Sequence, residues 1–157
     1  MRILIDGDSC SRLNTTEQIA KKYKLECHIY CDTKRIIESD YSKVHIVDFG
    51  HDSTDFALAN NCKCGDIVIT NDSGLAALVL SRNAFALNCH GKEYTKNNIM
   101  TYLNSRHIRK NVSRKSNRKQ VRGSLQYDNT PRPFGKVLVH IIKKHRKGAL
   151  NETNSSI

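Results

Sequence analysis

The sequence predicts one α/β domain on a mainly parallel five-stranded sheet, with further helices added at the C-terminal end. Three observations predict it. Short apolar, β-branched runs alternate with helix-length stretches over residues 1–90, the pattern of strand–helix–strand units. Turn-forming Asp and Gly residues close several of the apolar runs. The chain has 157 residues, 38% of them hydrophobic, a size at which one core buries roughly two thirds of the unfolded surface.

Arg2 to Ile5 is a buried strand ended by Asp6-Gly7-Asp8-Ser9-Cys10. Asn14, with Glu17 three positions on, has the spacing of a helix cap, and the helix is expected through Lys24 with Ile19, Ala20 and Tyr23 on one face. Leu25–Tyr30 and Val44–Val47 read as the second and third strands, and Thr54–Asn61 as a short helix. Asp66–Thr70 is β-branched and forms the fourth strand. The Leu- and Ala-rich stretch Ser73–Arg82 is a buried helix, and Ala84–Leu87 the fifth strand. A helix follows from Thr95 to about Ser105, then a loop or frayed helix over 106–122, and a last helix over Phe134–Lys147. The single domain therefore spans 1–147, with a basic segment at 106–130 and a polar tail over 148–157.

Charge divides the chain. Residues 1–95 carry 11 basic and 13 acidic side chains, net −2, whereas residues 96–157 carry 15 and 2, net +13. Such a field attracts polyanions, nucleic acid before anionic lipid; a solvated basic tail without a partner is the bland alternative. Membrane attachment is disfavoured because the basic run lacks interleaved large apolar residues. The longest aliphatic stretch, Leu75–Leu80, is far too short for a membrane span, and the apolar run before Asp6 is only Ile3-Leu4-Ile5, so the expected address is the cytoplasm. Six cysteines there should mostly be reduced.

The acids fall in a pattern. Ligands of parallel α/β sheets bind beyond the carboxyl ends of the strands. Asp6 and Asp8 follow strand one, Asp32 strand two, Asp48, Asp52 and Asp55 strand three, and Asp72 strand four; Asp66 precedes its strand. Carboxylates gathered on one rim repel unless a cation neutralises them, and Mg²⁺ or Mn²⁺ favours such oxygen ligands. Two such ions about 4 Å apart activate water and steady an in-line phosphodiester displacement. Each acid also has a purely structural reading: Asp72 as the cap of the next helix, Asp55 at a helix N-terminus, Asp6 and Asp8 as turn residues.

A zinc site of Cys62, Cys64, Cys89 and His90 is not expected. The first two precede strand four and the others follow strand five, which in a parallel pair separates them by about 15 Å. Zinc ligands must converge within about 2.3 Å of the metal. Cys10 reads as a small core residue, since no histidine lies near it in sequence.

The chain resembles the YaiI/YqxD family of small bacterial proteins, which are similar to PIN-like nucleases. The residues that carry the resemblance are Asp6-Gly7-Asp8-Ser9-Cys10, Asp55, Gly65-Asp66-Ile67-Val68-Ile69-Thr70-Asn71-Asp72, Leu75-Ala76, Leu87-Asn88, Gly91, Tyr94-Thr95 and Pro131-Arg132-Pro133-Phe134. Ser11 departs from the family's proline, and 107–129 is more basic than the pattern. The resemblance implies a three-layer PIN-like fold and a metal-dependent ribonuclease site at Asp6, Asp8, Asp55 and Asp72.

The leading expectation is thus an RNA-cleaving hydrolase with one or two Mg²⁺ or Mn²⁺ ions on those four aspartates. Arg106, Arg109, Lys110, Arg114, Lys115, Arg118, Lys119, Arg122 and Arg132 would grip RNA phosphates, and Tyr94, Tyr102 and Tyr127 are candidates for base stacking, with core packing the competing role of Tyr102. The alternatives are a non-catalytic RNA-binding protein and a haloacid-dehalogenase-like phosphatase. The latter shares the Asp-x-Asp motif, but here its later acid pair would fall before the strand, at Asp66, rather than after it.

Overall fold

The computed structural model describes residues 1–48, 53–114 and 133–154, apart from the side chains of 107–114 and 147–154. Its elements are β1 (Ile3–Asp6), α1 (Leu13–Lys22), β2 (Cys27–Asp32), β3 (Lys43–Val47), α2 (Ser53–Asn61), β4 (Ile67–Ile69), α3 (Ser73–Ser81), β5 (Phe85–Leu87), β6 (Glu93–Tyr94), α4 (Ile99–Arg114) and α5 (Phe134–Asn154). The sheet has six strands in the order β3-β2-β1-β4-β5-β6. Strands β1 to β5 are parallel and β6 is antiparallel to β5.

Period-two alternation explains the layering. Ile3 and Ile5 on β1, with Ile67 and Ile69 on β4, join Leu138, Ile141 and Ile142 of α5 in one core. Leu4 and Val68 turn to the opposite face and pack with Leu58 of α2 and Leu75, Ala76 and Val79 of α3. Two apolar faces on one sheet need helices on both sides, which makes three layers. The spacing of Phe134, Leu138, Ile141 and Ile142 presents one stripe of α5 to the sheet.

Several boundaries differ from the sequence expectation. The sheet has six strands rather than five. The two residues of β6 are too few to show a period, and the turn that returns them to β5 is held in part by the Asn88 side chain. The Asn88 side chain accepts from the backbone N–H groups of His90 and Lys92, both at 2.9 Å. Helix α1 starts at Leu13, and its N-cap is Arg12 without a side-chain cap bond, so Asn14 lies inside the helix. Partly buried Leu13 packs against the core and draws the helix start back. Strand β2 ends at Asp32, two residues beyond the expected end, because it pairs with β3 through Asp32↔Val47. The basic stretch partly joins α4, which runs to Arg114 and starts on a reciprocal Thr95–Asn98 cap. Helix α5 continues past Lys147 to Asn154, into the expected tail.

No helix among the described residues is long and apolar enough to cross a membrane.

Candidate active site

The strand order reverses direction between β1 and β4: the chain moves outward through β2 and β3, then returns to the other side of β1. The carboxyl ends of those two strands flank the crevice where open α/β sheets bind ligands. Asp6 ends β1, and Thr70, Asn71 and Asp72 follow β4. By alternation Asp6 shares the face of Leu4, toward α2 and α3.

Asp6 is buried and fully engaged. Its Oδ2 accepts from Ser9 Oγ at 2.5 Å and from Thr70 Oγ1 at 2.7 Å, and its Oδ1 from the Ser9 N–H at 3.3 Å. Thr70 Oγ1 also accepts from the Asp72 N–H at 3.0 Å, so one hydroxyl joins the two acids. Asn71 completes the frame: its Nδ2 donates to the Ser9 carbonyl at 2.8 Å, and its Oδ1 accepts from the Cys89 N–H at 3.1 Å.

Asp72 is the N-cap of α3, accepting from the N–H groups of Gly74 at 2.6 Å and Leu75 at 3.1 Å. The capping role read from sequence is therefore present, but the same Oδ1 also accepts from Arg106 Nη1 at 2.7 Å. A Cβ on Gly74 would stand 2.9 Å from that oxygen and 3.1 Å from the guanidinium, so any side chain there would force the pair to shift. Asp55, half-buried in the first turn of α2, lines a cavity of about 190 Å³ together with Asp72, Arg106, Phe56, Leu75 and Leu78.

Asp8 goes elsewhere. Its Oδ1 accepts from the Asp32 N–H at 3.1 Å, and its carbonyl accepts from Arg35 Nη1 at 3.0 Å, which turns it toward the end of β2. Gly7 permits that turn: a Cβ there would lie 2.8 Å from the Tyr30 carbonyl oxygen. The structure thus gathers Asp55, Asp72 and Arg106, links Asp6 to them through Thr70, and holds Asp8 to one side. Among the described residues, no group of three or more His, Cys, Asp or Glu side chains is arranged to hold a metal ion. As placed, the four aspartates fit a divalent cation only in part, and the positive charge at Asp72 is the guanidinium of Arg106.

Of the expected phosphate-gripping residues, Arg106 is on α4 with its side chain at this cavity. Arg109, Lys110 and Arg114 are on the same helix, with side chains outside the described residues. Lys115, Arg118, Lys119, Arg122 and Arg132 lie outside the described residues, as do Asp52 and Tyr127. Tyr94 does not serve as a base platform: it is buried, with its ring edge-on to Tyr102 at 4.9 Å. The sequence reading missed Phe56, which is 58% exposed on the cavity wall although its helix reads as apolar. It also missed Ser9, Thr70 and Asn71, whose positions beside the acids were the available signal.

Asp66 stands at the other end of the sheet, paired with Arg2 at 2.6 Å. Burial pushes its carboxyl up, but hydrogen bonds from Arg2 and from the Lys63 and Arg2 backbone N–H groups outweigh that and hold it below its ordinary value. It is remote from the crevice, where a phosphatase of the haloacid-dehalogenase type would need its second acid pair.

A family model described as "Uncharacterized BCR, YaiI/YqxD family" matches residues 4–144. A UPF0178 protein of Clostridium acetobutylicum is 39% identical over 123 residues, covering 78% of this chain and 83% of the relative. One from Clostridium kluyveri is 43% identical over 118 residues, 75% of this chain and 78% of the relative. One from Clostridium tetani is 36% identical over 147 residues, 94% of this chain and all of the relative. No solved structure matches. The match spans β1 through most of α5, including every residue of the crevice, and the chain belongs to the YaiI/YqxD family.

Proposed function

We propose that this protein is a metal-dependent ribonuclease of PIN-like type, acting on RNA in the cytoplasm at the crevice between β1 and β4. The observation that carries the reading is the cavity lined at once by two carboxylates, a guanidinium and an exposed aromatic ring: Asp55, Asp72, Arg106 and Phe56. Acid, base and ring together suit a phosphodiester with its adjoining base.

Asp72 and Asp55 are the carboxylates that line the cavity in which a Mg²⁺ or Mn²⁺ ion would be held, with Asp6 held behind them by Thr70. Such an ion supplies activation of water and stabilisation of phosphoryl oxygens. The chain's own residues do the rest. Arg106 satisfies Asp72 in the resting state, and on contact with a phosphate its guanidinium has a second anion to serve. Ser9 and Thr70 hold Asp6 in one rotamer, and Phe56 offers a face to a base.

A second reading, RNA binding without cleavage, is favoured by the Arg106–Asp72 pair itself, which already neutralises the acid. The net charge of +11 is enough for salt-sensitive affinity. One experiment separates the two. Single-stranded RNA is incubated with the protein and Mn²⁺ or Mg²⁺, with and without chelator, beside Asp72→Asn and Asp6→Asn. Chelator-sensitive cleavage that both variants lose supports the nuclease. Retained, salt-sensitive RNA binding with no cleavage under either metal supports the binding protein. Hydrolysis of a chromogenic phosphomonoester would instead point to a phosphatase.

A further inference from the structure

Two cysteines meet at the back of the crevice. Cys10 follows the Asp6–Ser9 turn after β1, and Cys89 follows β5, 79 residues later. Their Sγ atoms are 2.7 Å apart, and each side chain is only 1% exposed. The remaining cysteines do not share this arrangement: Cys27, Cys31 and Cys62 are buried at other places in the fold, and Cys64 is exposed.

The loops that carry the pair are already fastened together. Asn71 donates to the Ser9 carbonyl and accepts from the Cys89 N–H, so the backbone beside each cysteine is held by one carboxamide. The Arg12 N–H donates to Cys10 Sγ at 3.3 Å, which fixes the sulfur's direction. Each cysteine is next in sequence to an exposed residue, Ser11 for Cys10 and His90 for Cys89, so the pair lies close beneath the surface loops.

We infer that Cys10 and Cys89 are an oxidisable pair that closes to an intramolecular disulfide under a hydroperoxide. Closure requires the sulfurs to approach by about 0.7 Å to the ordinary bond length. One sulfur attacks the peroxide, the O–O bond breaks, and a sulfenic acid forms with release of one water from hydrogen peroxide. The second sulfur displaces the sulfenic hydroxyl, which leaves as a second water with the remaining thiol proton. Two thiols are oxidised by two electrons and one peroxide is reduced to two waters. A bond of this kind suits a reducing compartment when it forms transiently. It would tie the turn bearing Asp6 and Asp8 to the strand end of β5, whatever chemistry the crevice performs.

The test uses the full-length reduced protein exposed to hydrogen peroxide, then alkylated and digested without reductant. The expected result is a peptide joining Cys10 to Cys89, cleaved by dithiothreitol and absent from Cys89→Ala and Cys10→Ser. In the oxidised wild type, amide exchange at residues 9–12 and 88–91 slows at least several-fold and recovers on reduction. Recovery of Cys10 and Cys89 as alkylated thiols, while exposed Cys64 is consumed, overturns the proposal. So does a cross-link from either residue to a different cysteine. These readouts need no RNA and no divalent metal, so failure here leaves the nuclease reading to its own assay.

Discussion

Thr70 Oγ1 donates to Asp6 Oδ2 at 2.7 Å across the seam between β1 and β4, and accepts from the Asp72 N–H in return. A single fully buried hydroxyl therefore aligns the acid that ends one strand with the acid that caps the helix after the next. Thr70→Val keeps the shape and removes both bonds. Leaving a buried carboxylate short of a donor costs about 1–3 kcal/mol. Urea unfolding should show a loss of that size, and RNA cleavage should fall with it. Unchanged stability would mean that Asp6 finds another partner.

Arg106 guards Asp72 at a partly exposed pair, with side chains 42% and 26% accessible. Solvent screening limits its contribution to folding to about 0–1 kcal/mol. Arg106→Ala should therefore leave the unfolding midpoint nearly unmoved. Mn²⁺ affinity by calorimetry should rise several-fold as the acid is released. The salt dependence of RNA binding should lose about one unit of slope. A variant that binds Mn²⁺ more weakly would show that the guanidinium does not compete with the ion.

Phe56 projects from α2 into solvent beside the cavity, where core packing gives it no role. Phe56→Ala should weaken single-stranded RNA binding by about 1–3 kcal/mol, the range for loss of one base–aromatic stack. Exposed substitutions of this kind shift stability by no more than about 0.5 kcal/mol. Filter binding and thermal melting on the same preparation check both halves. Equal affinity for the variant and the wild type would remove the ring from the site.

Arg2 and Asp66 tie the start of β1 to the start of β4 at the end of the sheet away from the crevice. Because the folded carboxyl titrates below its unfolded value, the pair stabilises the protein above the unfolded pKa of about 4. That contribution is lost as pH falls further, through the lower folded pKa. Asp66→Ala leaves Arg2 and two backbone donors without their acceptor, and should cost about 3–5 kcal/mol at neutral pH. As pH falls below the unfolded pKa the gap between variant and wild type should narrow, as acid titrations of the unfolding midpoint would show. A gap that widens in acid would reverse the assignment.

Much of the architecture was legible in the chain itself, because it depends on local pattern. The β-branched runs at Ile3–Ile5 and Ile67–Ile69, the alanine-rich stretch after Asp72 and the apolar stripe of α5 each satisfy a period that a short window reveals. That the aspartates gather after the strands followed from the same order of elements. What tertiary structure decided was which of them meet. The placement of β4 beside β1, not beside β3, joins Asp6 to Thr70 and sets Asp72 at the crevice. The turn permitted by Gly7 sends Asp8 toward β2. The arrival of α4 gives Asp72 a guanidinium neighbour, and the return of β5 brings Cys89 to Cys10. These are contacts between residues 24 to 79 positions apart, or choices between neighbouring strands, and no local periodicity encodes them. They are settled by the burial of two apolar sheet faces at once, which leaves the polar rim to take whatever partners the packing delivers.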